Sequence, residues 1–193
     1  MEGIASLIII VALSCVLYFI IVYQRLARMI EIIKGNRRYL YTVIEWRFQL
    51  METFEEVIKE QIDIKDTVLS QFDDLSTKSQ QAKKQKKFQE FMRSENAISQ
   101  MIAGVELMFE QHPQLQNSAQ ALEIKEEVHG IQTELESAIQ IYNNDIEVYN
   151  KTKSYFLYSM VMSVFASKVK FNFPFWKMDG RMKPLAAQEQ EKK

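Results

Sequence analysis

The feature that most constrains this chain is an uninterrupted apolar run at residues 4–23, IASLIIIVALSCVLYFIIVY, which contains no charged residue, Pro or Gly. As an α-helix, about 20 residues extend roughly 30 Å, which matches the hydrocarbon thickness of a bilayer. A cleaved secretory signal has a basic start and a small-residue cleavage site. Here the start carries Glu2 and no Lys or Arg, and the run leads directly into Gln24-Arg25. The sequence therefore predicts a retained transmembrane anchor over residues 1–25, with the lipid bilayer as a partner.

Positive charge lies on one side of this anchor only. The basic side chains that closely follow the apolar run are Arg25, Arg28, Lys34, Arg37 and Arg38. Basic residues that flank a membrane span are retained in the cytoplasm. We therefore predict a single-pass protein of the cell membrane, with its N-terminus outside and the rest of the chain in the cytoplasm.

Beyond the anchor the chain has few helix breakers, with 5 Gly and 3 Pro in 193 residues, so long helices are favoured. Apolar residues recur at steps of three and four, the spacing of one helix face, in three stretches. These stretches are Leu26–Leu75, Phe88–Gln111 and Ala121 to about Lys168. The first is predicted to be one helix or two collinear helices, with Gly35-Asn36 as its weakest point.

These patterns predict an all-α fold: an N-terminal transmembrane helix followed by an elongated antiparallel bundle of long helices, like a coiled coil, over residues 26–175. The three helices of the bundle are expected to run up, down and up from the membrane. Residues 176–193 are predominantly polar, and we expect them to form a disordered tail.

Three shorter segments have more than one interpretation. Ser76–Lys87 (STKSQQAKKQKK) fits a basic patch for anionic lipid or nucleic acid. It lacks interleaved aromatic residues, so we favour a solvated hairpin tip or the exposed first turns of the next helix. With a net charge of -1, no nucleic-acid partner is expected. Tyr155–Val169 is strongly apolar but too short for a second span, so we expect it to be buried core or a helix–helix contact. The aromatic segment 171–176 fits docking on lipid or a partner as well as covering the bundle end.

The sequence contains no pattern typical of catalysis or metal binding. The two His residues, His112 and His129, are far apart in sequence and form no HExxH-type motif. Carboxylate pairs such as Glu126-Glu127 are adjacent, so they point to different sides of a helix. The single Cys15 lies in the anchor and rules out a disulfide framework. We predict a protein that is not an enzyme and has no cofactor and no metal site.

Two motifs are candidates for interaction. Tyr142-Asn143 and Tyr149-Asn150 are seven residues apart, or two helical turns, so both pairs share one face of a helix. The favoured interpretation is structural, with core aromatics and amides that fix the register between helices; the alternative is a docking strip for a partner. The other motif is EQHPQL at residues 110–115, in which Pro113 ends a helix at His112.

Together with the anchor, these motifs resemble the bacterial LemA family, whose pattern has an aromatic-Pro-acidic-Leu turn, a later YN-x5-YN pair and then Phe. The matching residues are Pro113, Leu115, Glu126, Glu127, Ala138, Tyr142, Asn143, Tyr149, Asn150 and Phe156, with His112 in the place of the aromatic residue. A weaker match in the first helix consists of Arg47, Leu50 and Phe54.

The chain also departs from this pattern. Leu157 stands where the family usually has Pro, and the usual Asp, Pro and Asn of the first helix are replaced by Gln49, Glu52 and Thr53. We therefore expect the first helix to lack the kink that this Pro implies. The resemblance implies a membrane-anchored antiparallel helical bundle. It implies no activity, because the family has no settled one, although some relatives belong to magnetosome membranes, which suggests a membrane-organising or scaffolding role.

Two functions follow from these expectations. The first is a non-enzymatic scaffold or adaptor that presents its cytoplasmic bundle to protein partners at the membrane. The second is a sensor or signalling input module that shifts its long helices when a ligand or partner binds. A channel or transporter is disfavoured, because the chain has one predicted span and no charge within it. The partner stays unidentified, and homo-oligomerisation stays open.

Overall fold

The computed structural model of this chain describes residues 2–61, 67–102 and 104–178, and these residues form helices and no strand. The helices are α1 (Glu2–Gln61), α2 (Thr67–Lys84), α3 (Phe88–Ile102), α4 (Val105–Gln111), α5 (Pro113–Gln116), α6 (Ala119–Ser154), α7 (Phe156–Val164) and α8 (Ala166–Val169). The predicted all-α fold is confirmed.

The first helix, α1, is 60 residues long and begins with the apolar run. An 18-residue window of α1 has a mean hydropathy of 2.9 and is 0% buried, so this part of the chain is long and apolar enough to be a candidate membrane span. Burial along α1 begins at Val22, at the end of the apolar run. The helix continues through Gly35-Asn36 and through residues 49–53, as expected without the Pro of the family pattern.

The prediction of one helix, or two collinear helices, over Leu26–Leu75 is wrong. The ring of Phe72 in α2 packs 6.2 Å from Phe48 in α1, and Lys83, further along α2, pairs with Glu45, earlier in α1. Thus α2 runs antiparallel to α1. The spacing in the stripe of apolar residues could not predict this reversal, because the same three- and four-residue steps occur whether the second helix continues the first or runs antiparallel to it. Residue 62, which belongs to the stripe, lies outside the described residues.

The turn between α2 and α3 lies at Gln85–Lys87, at the end of the predicted hairpin tip. Lys86 adopts a φ of 58°, in the left-handed region, and the Lys87 N–H donates to the Ala82 carbonyl at 2.9 Å. This is the geometry of a helix C-terminus closed by a left-handed residue. The rest of this stretch, Ser76–Lys84, is helical, but it forms the last turns of α2 rather than the first turns of the next helix.

The last long helix ends earlier than predicted. The stretch from Ala121 to Lys168 was expected to be continuous, but α6 ends at Ser154 because Tyr155 is extended, with a ψ of 137°. The chain continues as α7, breaks again at Phe165 and ends its helical course with α8. The prediction that Tyr155–Val169 is buried core or a helix–helix contact is wrong for several of its residues, since Phe156 is 74% and Val164 67% exposed.

The described chain divides into two compact units, which we describe separately. Unit 1 comprises Met1–Arg38 and Ile141–Phe175, and unit 2 comprises Tyr39–Gln140 and Trp176–Lys193. In unit 1 the chain from the end of α6 through α7 runs antiparallel to the N-terminal part of α1, because Asn36 contacts Asp145 in α6 while Tyr23 contacts Phe165, which follows α7.

Unit 2 contains the rest of α1 together with α2, α3 and most of α6. Its core includes Leu40, Ile44, Phe54, Phe91, Ile98, Val128 and Leu135. Trp176, which the sequence assigned to the polar tail, is 2% exposed and packs edge-on against Phe88 and Phe91 of α3. From residue 179 onwards the predicted tail lies outside the described residues.

Candidate functional site

Two arrangements in the structure could carry function: a pair of tyrosines in unit 1 and a buried polar cluster in unit 2. The tyrosines are Tyr142 and Tyr149, which lie two turns apart on α6 and are both 0% exposed. Their position on one buried face of α6 is the position that the seven-residue spacing predicts.

The hydroxyl groups of these tyrosines bind the backbone of the C-terminal aromatic segment. The Tyr149 hydroxyl donates to the Val169 carbonyl at 2.5 Å and accepts from the Phe171 N–H at 3.1 Å. The Tyr142 hydroxyl donates to the Pro174 carbonyl at 3.0 Å. Because later residues of the segment meet earlier residues of α6, the segment runs back along this helix.

The aromatic side chains of the segment pack in the same place. The ring of Phe173 is edge-on to Tyr149, with 5.8 Å between the ring centroids, and it stacks on Phe171 at 5.7 Å. The Lys34 Nζ lies 5.1 Å from the Phe171 ring centroid, in a cation–π contact. Of the two interpretations of this segment, packing on the bundle therefore holds for Phe171 and Phe173.

The amides of the motif, Asn143 and Asn150, are half-buried beside the tyrosines. A hydrogen bond between α1 and α6 is formed nearby, where Asn36 Nδ2 donates to Asp145 Oδ2 at 2.5 Å. Sequence analysis missed Asp145, although it lies within the same motif, YNNDIEVYN. Its bond to Asn36 fixes the register of the two helices in unit 1.

The residues of the EQHPQL motif form the turn after α4. His112 caps α4 with a φ of -124° and a ψ of 88°, and its N–H donates to the Met108 carbonyl at 3.1 Å. Pro113 is the first residue of α5, a position where its missing N–H costs no hydrogen bond. Leu115 is 0% exposed and fixes the turn in the core of unit 2. The three residues therefore have structural roles in the chain reversal before α6.

The polar cluster lies in the core of unit 2 and is centred on Arg47, which is 0% exposed. Arg47 Nη2 donates to Glu95 Oε2 in an ion pair, and Nη1 donates to Ser99 Oγ at 2.8 Å and to Gln132 Oε1 at 3.2 Å. The Ser79 hydroxyl donates to the other oxygen of the Glu95 carboxylate. The cluster thus joins four helices, α1, α2, α3 and α6.

Burial sets the electrostatics of this cluster. Loss of hydration raises the pKa of the Glu95 carboxyl, while the Arg47 guanidinium and the Ser79 hydroxyl oppose this increase. The same loss of hydration lowers the pKa of Arg47, whose contact with Glu95 opposes the decrease. Among the described residues none pairs with the buried Arg47 Nε. Because the ion pair is almost completely buried, it is suited to joining helices rather than to reacting with a substrate.

Sequence analysis missed Glu95, Ser79, Ser99 and Gln132, and it noted Arg47 only as a weak family match. A signal for the ion pair was present. Arg47 falls on the apolar stripe of α1, three residues after Ile44, and Glu95 falls on the stripe of α3, four residues after Phe91. A charge on an apolar face is rarely buried without a partner, so two such charges of opposite sign indicate a buried pair.

Comparison of the sequence with models of known protein families identifies the family of this chain. The family model of the LemA family matches residues 39–185, about three quarters of the chain. The chain belongs to the LemA family. Neither the comparison with curated proteins nor the comparison with solved structures found a match.

The matched range shows which parts of this LemA family protein the family model covers. It contains the Arg47 cluster and both tyrosines, and it begins after the apolar run at residues 4–23. The expected family Pro at the position of Leu157 is absent, yet the chain still leaves the helix at Tyr155. The break between α6 and α7 therefore forms in this chain without a proline at residue 157.

Proposed function

We propose that this LemA family protein is a non-enzymatic, membrane-tethered scaffold or adaptor for protein partners. The observation that carries the proposal is the contrast between two neighbouring residues, Trp46 and Arg47. Arg47 is fully buried at the centre of a cluster that joins four helices, whereas Trp46 is 51% exposed on the outer face of α1. A fixed core that displays a large aromatic side chain supports a binding surface, since tryptophan is enriched at the energetic centres of protein interfaces.

The membrane tether in this proposal is the apolar run of α1. Most of its side chains before Val22 are exposed, as lipid-facing side chains are in a structure without lipid, and Ser6 and Ser14 each donate to the carbonyl four residues earlier. These bonds satisfy the hydroxyl groups without water. The basic residues after the run support a cytoplasmic location for the bundle.

A photo-crosslinking experiment tests the scaffold proposal. A photoreactive phenylalanine analogue replaces Trp46 in the full chain, and cells that express the variant are irradiated. We expect a discrete adduct with another protein. The matched control has the same analogue at Leu122, which is 40% exposed on α6 of unit 2, and gives no such adduct.

The other outcomes of this experiment are equally informative. Adducts of equal yield at both positions indicate random collision and contradict a specific surface at Trp46. An adduct that contains only a second copy of the chain indicates a homo-oligomer. If neither position gives an adduct, the support for a scaffold is removed.

One observation favours the sensor as a second candidate. The single helix α1 contains both the candidate span and Arg47, so a displacement of the helix would act directly on the cluster in unit 2. Spin labels at the exposed side chains of Glu52 and Lys78 report the distance between α1 and α2. A sensor predicts that this distance changes when a partner binds, and a scaffold predicts that it stays constant.

A further inference from the structure

Helix α7 leaves one apolar face without cover. Phe156, Met160 and Val164 follow each other at steps of four, so they share a face, and they are 74%, 43% and 67% exposed. The opposite face is formed by Val161 and Met162, at 0% and 7% exposure. Thus α7 is held in unit 1 by one side and presents an apolar side outward.

The inner side of α7 packs where the candidate span of α1 ends. The ring of Tyr23 lies 5.1 Å from the ring of Phe165, the residue that follows α7. The Arg25 guanidinium lies 5.9 Å from the ring of Tyr158, within α7. Tyr23 is the last residue of the apolar run. If the run crosses a bilayer, α7 therefore lies at the depth of the membrane surface.

The polar atoms on the exposed face of α7 are already satisfied. The Ser159 hydroxyl donates to the Phe156 carbonyl and the Ser163 hydroxyl donates to the Met160 carbonyl, both at 2.7 Å. These bonds resemble those of Ser6 and Ser14 in the apolar run. A hydroxyl that donates to its own helix can enter an apolar environment at lower cost than an unpaired one.

The charges around α7 also suit a membrane surface. The helix, FLYSMVMSV, contains no charged residue, and the nearest charged residues before and after it are basic. They are Lys151 and Lys153 on one side and Lys168 and Lys170 on the other. An apolar face with lysines at its edges is typical of helices that lie at the boundary between headgroups and acyl chains, especially of anionic lipids.

We propose that the Phe156–Met160–Val164 face of α7 inserts into the interface of the bilayer that α1 spans. This inference rests on the proposed membrane tether and adds a second lipid contact to it. The packing of the opposite side of α7 at the end of the apolar run, the internally bonded serines and the flanking lysines favour lipid over a second copy of the chain.

The test measures the depth of single fluorescent labels in the full chain. In a Cys15→Ser background, an environment-sensitive fluorophore is attached to Met160→Cys, to Val148→Cys or to Leu13→Cys. The protein is reconstituted in nanodiscs of phosphatidylcholine and phosphatidylserine that contain a nitroxide on the upper acyl chain. Val148 is the matched control, because it is apolar and 46% exposed but lies on α6.

We expect the label at position 160 to be blue-shifted and strongly quenched by the acyl-chain nitroxide, and the label at position 148 to stay unquenched. Adding Phe156→Asp reduces the quenching at position 160, because a carboxylate on this face opposes insertion. The matched substitution Ile141→Asp, at a residue that is 51% exposed on α6, leaves the quenching unchanged.

The label at position 13 separates failure of this inference from failure of the tether. If position 13 is quenched and position 160 is not, the tether holds and the lipid contact of α7 is wrong. If neither is quenched, the membrane tether itself fails. If the label at position 160 is hidden from a water-soluble quencher but not quenched by lipid, another protein surface covers α7, which also overturns the proposal.

Discussion

The guanidinium of Arg47 and the carboxylate of Glu95 form an ion pair with side-chain exposures of 0% and 1%, and this pair joins α1 to α3. Transferring two charges from water into a protein core is costly, and their attraction offsets that cost only when the remaining hydrogen-bonding positions are also used. Here Ser79, Ser99 and Gln132 occupy several of these positions. The pair therefore depends on four helices being correctly placed at once.

The first prediction concerns loss of one partner of this pair. Glu95→Gln leaves Arg47 buried without a counter-ion, and we expect the free energy of unfolding to fall by about 3–5 kcal/mol. The double variant Arg47→Met/Glu95→Leu removes both charges, so it should be clearly more stable than Glu95→Gln alone. Urea unfolding of the full chain in detergent, followed by circular dichroism, measures these differences.

A surface pair provides the control for this experiment. Asp74 and Lys78 form an ion pair in α2 with side-chain exposures of 61% and 60%. Asp74→Asn should change the unfolding midpoint little, because water already solvates both groups. Equal losses for Glu95→Gln and Asp74→Asn would contradict the structural role of the buried pair.

The second prediction distinguishes the two motif tyrosines. The Tyr149 hydroxyl makes two backbone hydrogen bonds and the Tyr142 hydroxyl makes one to Pro174. At about 0.5–1.5 kcal/mol for each bond, Tyr149→Phe should destabilise the protein more than Tyr142→Phe. Tyr149→Phe should also accelerate tryptic cleavage after Lys170, since the segment beyond it is held by this hydroxyl. If Tyr149→Phe changes neither stability nor cleavage, the hydroxyl does not hold the segment.

The sequence predicted the fold class and the buried face of α6, because both depend on local periodicity. Tyr142 and Tyr149 are buried together because seven residues are two helical turns, so both side chains lie on the same face of α6. The direction of α2 was not predictable in this way, because it depends on contacts such as Phe48–Phe72 between residues far apart in the chain. The break at Tyr155 was missed for a similar reason, since no Gly or Pro marks it.

The candidate site was predicted less completely than the fold. The Tyr-Asn motif predicted side-chain contacts between helices. In the structure, its tyrosine hydroxyls bind backbone carbonyls of a segment 20 or more residues later in the chain. Backbone carbonyls such as that of Pro174 have no signature in a sequence. The partners of Arg47 come from two other helices, α3 and α6, so their meeting is a consequence of packing that a helical period cannot express.

The third prediction uses the two tryptophans as probes of the two environments. Trp46 is 51% exposed, whereas Trp176 is 2% exposed and its Nε1 donates to Asn96 Oδ1 at 3.1 Å. With Trp46→Phe, the remaining fluorescence comes from the buried Trp176, so we expect blue-shifted emission and weak quenching by acrylamide. Trp176→Phe should give the opposite result. Similar spectra for the two variants would show that Trp176 does not pack on α3.

The last prediction compares two glycines of unit 2, Gly130 within α6 and Gly104 immediately before α4. A Cβ added at Gly130, within α6, meets nothing within 4 Å, whereas a Cβ at Gly104 lies 3.1 Å from the Met101 carbonyl oxygen. Gly130→Ala should therefore raise the free energy of unfolding by about 0.5–1 kcal/mol, because alanine loses less backbone entropy in a helix. Gly104→Ala should gain less or lose stability, because the carbonyl must move. Urea unfolding of both variants measures the difference, and a larger gain at Gly104 would contradict the close approach of Met101.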